Sequence, residues 1–385
     1  YDTEEWEQLS QSGISAGYGA EFALVTASPP RSIIVTYNQP NSPAADNNLN
    51  RGAKIISVDG AAVTDGDAAV INAGLFPAAA GESHQLVVQD AGATESRTIT
   101  MVSTQVTSAP VQNLTTMMVN GSKVGYVTFN EFIQTAEGQL IDAVNQFNRQ
   151  GIDELVLDLR YNGGGYLDIA AELSYMIAGP TSAGQVFDEI IFNDKHPSLN
   201  PITGRALSPT LFASTTGNFL LQPGQPLPTL TLRRVFILSS NGTASASEAV
   251  INGLRGIGME VILIGDTTRG KPYGFYSQDN CGTTYFTIQF KGANAIGFGD
   301  FSDGFVPVDS ADFSGADVTG CLVGDDLTRS LGDSQEKQLA AALTYIETGR
   351  CPIAPLSQSS LAASEISPLH STFGRVMKPA LGNLR

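Results

Sequence analysis

The apolar positions of this chain fall into short unbroken runs alternating with helical stripes. Residues 235–238 form one such run, and small polar residues then turn the chain. Ala246, Ala249, Val250, Gly253, Leu254 and Ile257 follow at the three- and four-residue spacing of one helical face. Residues 261–264 form a second apolar run. Unbroken runs of this length predict strands buried on both faces. Two of them joined by a helix predict a right-handed βαβ unit with parallel strands. The pattern also occurs upstream, where residues 155–159 run into a glycine turn and a helix is predicted over 167–177. Residues 123–132 and 283–290 read as strands, and 136–148 and 334–348 as helices. Between Gly13 and Met101 the rhythm is different. Short strands at 22–25, 32–37, 85–89 and 97–102 are separated by turns, with one helix predicted at 67–75. A small β-rich unit followed by an α/β unit is expected.

The chemistry collects at two turns of the α/β unit. Ser245 stands where a helix begins, beside unpaired backbone N–H groups and the positive end of the helix dipole. Such a place stabilises an oxyanion once the hydroxyl has attacked a carbonyl. Lys271 lies just past the next strand, so the crossover could return it to the serine, and a neutral lysine can serve as base. Ser245-Ala246-Ser247-Glu248 also reads as a capping box. The second turn is Asn162-Gly163-Gly164-Gly165, where missing side chains let backbone N–H groups approach a ligand. It also reads as an ordinary strand-to-helix turn. No Gly-Lys-Ser/Thr follows it, which excludes a P-loop.

Ala244-Ser245-Ala246-Ser247-Glu248 together with Gly265-Asp266-Thr267-Thr268-Arg269-Gly270-Lys271 resembles the signature of the C-terminal processing peptidases, or tail-specific proteases. Asp158-Leu159-Arg160, followed by Asn162 and the three glycines, resembles that family's second signature, and Gly304 to Asp309 its Gly-x-x-Pro-Asp segment with Val308 inserted. The resemblance implies Ser245 as nucleophile, Lys271 as base, and an oxyanion hole from Gly163 or Gly164 with Ala246. Asp158 and Arg160 would brace the turn. It implies a crotonase/ClpP-like αα/β peptidase domain and a reaction without metal or cofactor. Leu49 to Gly60 is similar to the core hairpin of a PDZ domain, with Ala53 for the usual Asp and Asp59-Gly60 as its tight turn. Gly17, Tyr18 and Gly19 then fall in the loop that would hold a peptide's free carboxylate. Two departures stand out. Phe275 takes the place of a Gln that orients the family's lysine, and Gly256 that of an acidic residue.

Four segments follow: a helical lead-in at 1–12, a PDZ-like domain at 13–103, a peptidase domain at 104–350 that opens on a linker, and an irregular tail at 351–385. Charge narrows the partners. A net −17 argues against nucleic acid and anionic membrane, and the resemblance implies protein or peptide substrates with free C-termini. No apolar run is long enough to span a bilayer. Cys281, Cys321 and Cys351 have no metal-site spacing, and Cys281–Cys321 is the expected disulfide. An oxidising compartment fits, namely a bacterial periplasm or cell envelope after removal of an export signal. The alternative function is a PDZ-bearing protein that binds C-terminal peptides without cutting them, and a crotonase-type acyl enzyme ranks below it. Ser334-Gln335-Glu336-Lys337 matches Ser-x-x-Lys of the penicillin-binding enzymes but reads as a helix start capped by Asp333 or Ser334.

Overall fold

The computed structural model describes residues 1–311, residues 315–352 and the strand Ser367–Leu369. Its largest α/β sheet runs Val306–Val308, Asp317–Leu322, Glu260–Gly265, Arg234–Ser239, Glu154–Asp158, Ser122–Phe129, Val111–Val119. All neighbours are parallel except the last pair. The predicted βαβ unit is present, with Arg234 opposite Glu260 and Ser239 opposite Gly265. Alternate residues of one strand serve opposite faces. Val235 and Ile237 pack with the helices Ala136–Gln150, Leu167–Ala178 and Ala246–Gly256. Phe236 and Leu238 pack with the helix Lys337–Thr348. Burial on both faces is why the strands read as unbroken apolar runs.

The N-terminal part has its own apolar core, which includes Tyr18, Phe22, Val35, Leu49, Val58, Leu86 and Met101. Its antiparallel sheet orders Ala20–Thr26, Ser32–Asn38, Lys54–Val58, Ser83–Gln89 and Arg97–Val102. Asp59 and Gly60 take φ of 47° and 81°, so the two-residue turn closes Val58 against Ala61. The helix Ala68–Leu75 is capped by Asp67.

Several expectations need correcting. The linker at 104–110 contains a strand, Thr104–Thr107, paired with Ile14–Gly17. Residues 283–290 are not one strand, because Thr283–Tyr285 and Phe290–Ala293 join different sheets. The last long helix starts at Lys337, with Glu336 and not Asp333 or Ser334 capping it. The disulfide is Cys321–Cys351, while Cys281 is exposed and free at a hairpin turn. Helix Lys337–Thr348 packs back across the sheet and brings Cys351 to the strand that carries Cys321. Most of the tail lies outside the described residues, but Ser367–Leu369 is a strand paired with Ala20–Thr26. The lead-in forms a helix, Thr3–Glu7, and Trp6 packs on Phe286 with ring centroids 4.8 Å apart.

One loop is fastened through carboxyl groups. The Gly217 N–H donates to Glu137 Oε1 and Glu172 Oε1, both at 2.8 Å. The two carboxyls are buried on neighbouring helices. Burial first, and then Glu137, pushes Glu172 up to about 9.

Candidate active site

Ser245 follows the strand Arg234–Ser239 and precedes the helix Ala246–Gly256, with φ 58° and ψ −116°. Few L-residues adopt this conformation, and the surrounding fold must hold it. The serine is 5 % exposed, and its Oγ has no hydrogen-bond partner among the described residues. The glycine turn lies directly against it. A Cβ added at Gly164 would stand 2.8 Å from Ser245 Cβ and 3.0 Å from Ala246 N. With φ +101°, that position favours glycine twice over.

Asn162 ties the two turns together. Its side chain donates to Phe129 O and accepts from the Gly164 N–H at 2.9 Å. Its carbonyl accepts from the Ala244 N–H and the Ser247 hydroxyl. The Gly164 N–H is therefore engaged. Those of Gly163 and Ala246 meet no acceptor among the described residues.

Glu248 joins the serine to the lysine loop. Its carboxylate accepts from the Ser245 N–H at 2.9 Å and from the Lys271 N–H at 2.8 Å. The Gly270 N–H and the Thr268 hydroxyl also donate to it, at 2.7 and 2.6 Å. Thr268 in turn accepts from the Phe305 N–H, which brings the Gly304 segment under the same loop. Burial raises the Glu248 carboxyl while these four donors lower it. The sequence reading saw Glu248 only as a cap. Its contacts 20–23 residues away depend on the crossover, which spacing does not reveal.

Lys271 is 5 % exposed, with Nζ 5.2 Å from the centre of the Phe275 ring. Phe275 continues through Phe286 to Trp6, so the residue in place of the expected Gln belongs to an aromatic floor shared with the lead-in. Burial pushes the Lys271 ammonium down to about 8, with Glu248 pulling the other way. The structure thus joins Ser245, Ala246, Gly163, Gly164 and the Lys271 backbone, but Ser245 Oγ makes no hydrogen bond to Lys271.

Asp158 and Arg160 lie behind the glycine turn. Buried Arg160 reaches Asp158 Oδ1 at 2.9 Å, Asp325 at 2.8 Å and both oxygens of Glu336. Arg51, in the turn before the strand Lys54–Val58, also binds Asp325 and the Tyr161 hydroxyl. Gly17, Tyr18 and Gly19 have no hydrogen bond to this cluster. The Tyr18 ring is 2 % exposed and belongs to the N-terminal core, so it offers no side-chain surface to a peptide. The Tyr18 and Gly19 N–H groups have no acceptor among the described residues.

The model of peptidase family S41 matches residues 123–276, which contain both turns and Lys271. Both turns and the lysine thus lie in a stretch similar to the S41 peptidases. A carboxyl-terminal-processing protease of Picosynechococcus sp. is 27% identical over 271 residues, covering 69% of this chain and 56% of that protein. A probable CtpA-like serine protease of Staphylococcus aureus is 28% identical over 175 residues, 45% of this chain and 28% of that protein. The chain spans about half the length, or less, of these curated relatives. The crystal structure of a putative S41 protease from Bacteroides fragilis matches it with a TM-score of 0.64 at 26% identity, over 87% of this chain and 83% of that one.

Proposed function

We propose that this chain is a serine endopeptidase that cleaves protein substrates near their C-termini, on a crotonase-like αα/β domain following a PDZ-like domain at 13–103. Ser245 Oγ attacks the scissile carbonyl and passes its proton to neutral Lys271 Nζ. The Gly163 and Ala246 N–H groups hold the oxyanion, since Asn162 already occupies the Gly164 N–H. As the tetrahedral intermediate collapses, Lys271 returns the proton to the departing amine and an acyl-enzyme remains. Water then attacks the ester, giving its proton to Lys271, which protonates Ser245 as the acid leaves. The observation that carries this reading is the pair of acceptor-free N–H groups beside a strained serine, with Glu248 bonded to that serine and to the lysine loop.

The Tyr18 and Gly19 N–H groups support carboxylate capture at 13–103. The Cys321–Cys351 disulfide supports a periplasmic or cell-envelope location. The test is labelling with a fluorophosphonate probe, followed by peptide mapping. Label on Ser245, lost in Ser245→Ala, is expected. An unlabelled, folded protein would overturn the peptidase reading and favour binding without cleavage.

A further inference from the structure

The sheet edge that would receive a peptide is already filled. Ala20–Thr26 carries Ser32–Asn38 on one side and Ser367–Leu369 on the other. The added strand is antiparallel, with Leu24 opposite Ser367, Ala23 opposite Pro368 and Phe22 opposite Leu369. Pro368 has no N–H, so it suits the non-hydrogen-bonded position. In that register Ser367 and Leu369 are the residues whose N–H groups would donate across the pair, opposite Leu24 and Phe22.

Direction matters more than occupancy. The strand runs from Leu24 toward Phe22, hence toward Gly19 and Tyr18. A peptide added the same way would bring its carboxylate to the two N–H groups there, which have no acceptor among the described residues. Phe22 also stacks edge-on against Phe76 just past the helix Ala68–Leu75, with centroids 5.8 Å apart, so the edge lies beside that helix end. The occupant is tethered. Ser367 follows Cys351 by sixteen residues, and Cys351 is bonded to Cys321. A span of that length reaches at most about 50 Å.

The geometry points to the segment Ser367–Leu369 as a built-in competitor that holds the peptide edge in cis until a free C-terminus of an extended peptide displaces it. This rests on reading residues 13–103 as peptide-binding. A protein whose edge is open a tenth of the time binds peptide about tenfold more weakly than its open form.

The test uses the full chain in a Ser245→Ala background, so that no peptide is cut. Ser367→Pro with Leu369→Pro removes both donors, and a chain ended after Ile366 opens the edge by another route. The probe is a fluorescent peptide of about ten residues with an apolar, free C-terminus, beside its amidated twin. Hydrogen exchange is followed at the Phe22 and Leu24 amides. Faster exchange and roughly tenfold tighter binding of the free-carboxylate peptide are expected in both altered chains. Unchanged exchange and affinity would overturn the proposal. Faster exchange with no peptide bound by any chain would keep the strand but remove its role, and it would locate the failure in the peptide-binding reading. Protection that grows with protein concentration would assign the strand to a second copy and overturn the cis arrangement.

Discussion

At Lys271, burial outweighs a nearby carboxylate. Its ammonium is held at about 8, against an ordinary value of 10.5. As the base of the proposed reaction, it makes kcat/KM rise with pH through about 8 and level off above, as a pH–rate profile would show. The same depression acts on stability. Between about 8 and 10.5 the unfolded chain binds more protons at this site, so stability rises with pH across that window. Below about 8 the site favours unfolding by its full amount. Lys271→Met should therefore abolish turnover and leave the melting temperature at pH 7 equal or higher. Glu248→Gln tests the residue that spacing did not reveal. An amide places its own donors among backbone N–H groups that all need an acceptor, and the serine and lysine loops should shift apart. A loss of about 100-fold in kcat/KM with a cooperative melt is expected. Near-normal turnover would reduce Glu248 to a helix cap. That Ser245 and Lys271 each stand in a turn just past a buried strand is legible in the apolar pattern, while their catalytic roles are proposed from the family resemblance.

Among the elements, those legible in the sequence are buried on both faces or sharply capped. The strands Arg234–Ser239 and Glu260–Gly265 carry unbroken apolar runs over 235–238 and 261–264, while Asp317–Leu322 contains Thr319 and Gly320 and offers no such run. Val111–Val119 was also missed, although Asn120-Gly121, with φ of 47° and 86°, is a strong hairpin signal. Thr104–Thr107 was read as linker because only Val106 of its four residues is apolar and buried. Two elements carry predictions. Gly164→Ala pushes a methyl to within 2.8 Å of Ser245 Cβ in a backbone region hostile to alanine. It should cost about 1–3 kcal/mol in denaturant melts and remove probe labelling. The loop at Gly217 should respond to pH. Glu172 folds with its carboxyl raised to about 9, so the folded chain holds a proton that the unfolded chain releases near 4.5. Stability contributed there falls as pH rises from about 4.5 to about 9. Glu172→Gln should flatten that slope and raise the melting temperature above neutral pH, and an unaltered slope would show that another group titrates.

The molecule as a whole is joined through Asp325. Burial raises its carboxyl, but Arg51 and Arg160 overcome this and hold it at about 2. Its stabilising effect is complete above about 3.8 and is lost as pH falls through about 2. One arginine comes from the turn before the strand Lys54–Val58 and the other from just past the strand Glu154–Asp158. Arg51→Met leaves a buried carboxylate with fewer partners and should destabilise by up to about 3 kcal/mol, read as an earlier denaturant midpoint. It should also separate one melting transition into two. None of this was legible, because Arg51 and Asp325 are far apart in sequence and each alone is an ordinary polar residue.

The backbone at Ser245 has a consequence for sequence change over time. With φ at 58° and ψ at −116°, any side chain there is tolerated at a cost, and only glycine is at ease. Ser245→Gly should melt above Ser245→Ala, although neither can form an acyl-enzyme. The codon for this residue is therefore held by chemistry against the pull of folding. In a lineage that no longer cleaves, relaxed selection should let glycine settle at this position ahead of alanine, so retired members of such a family would be recognisable from that single letter.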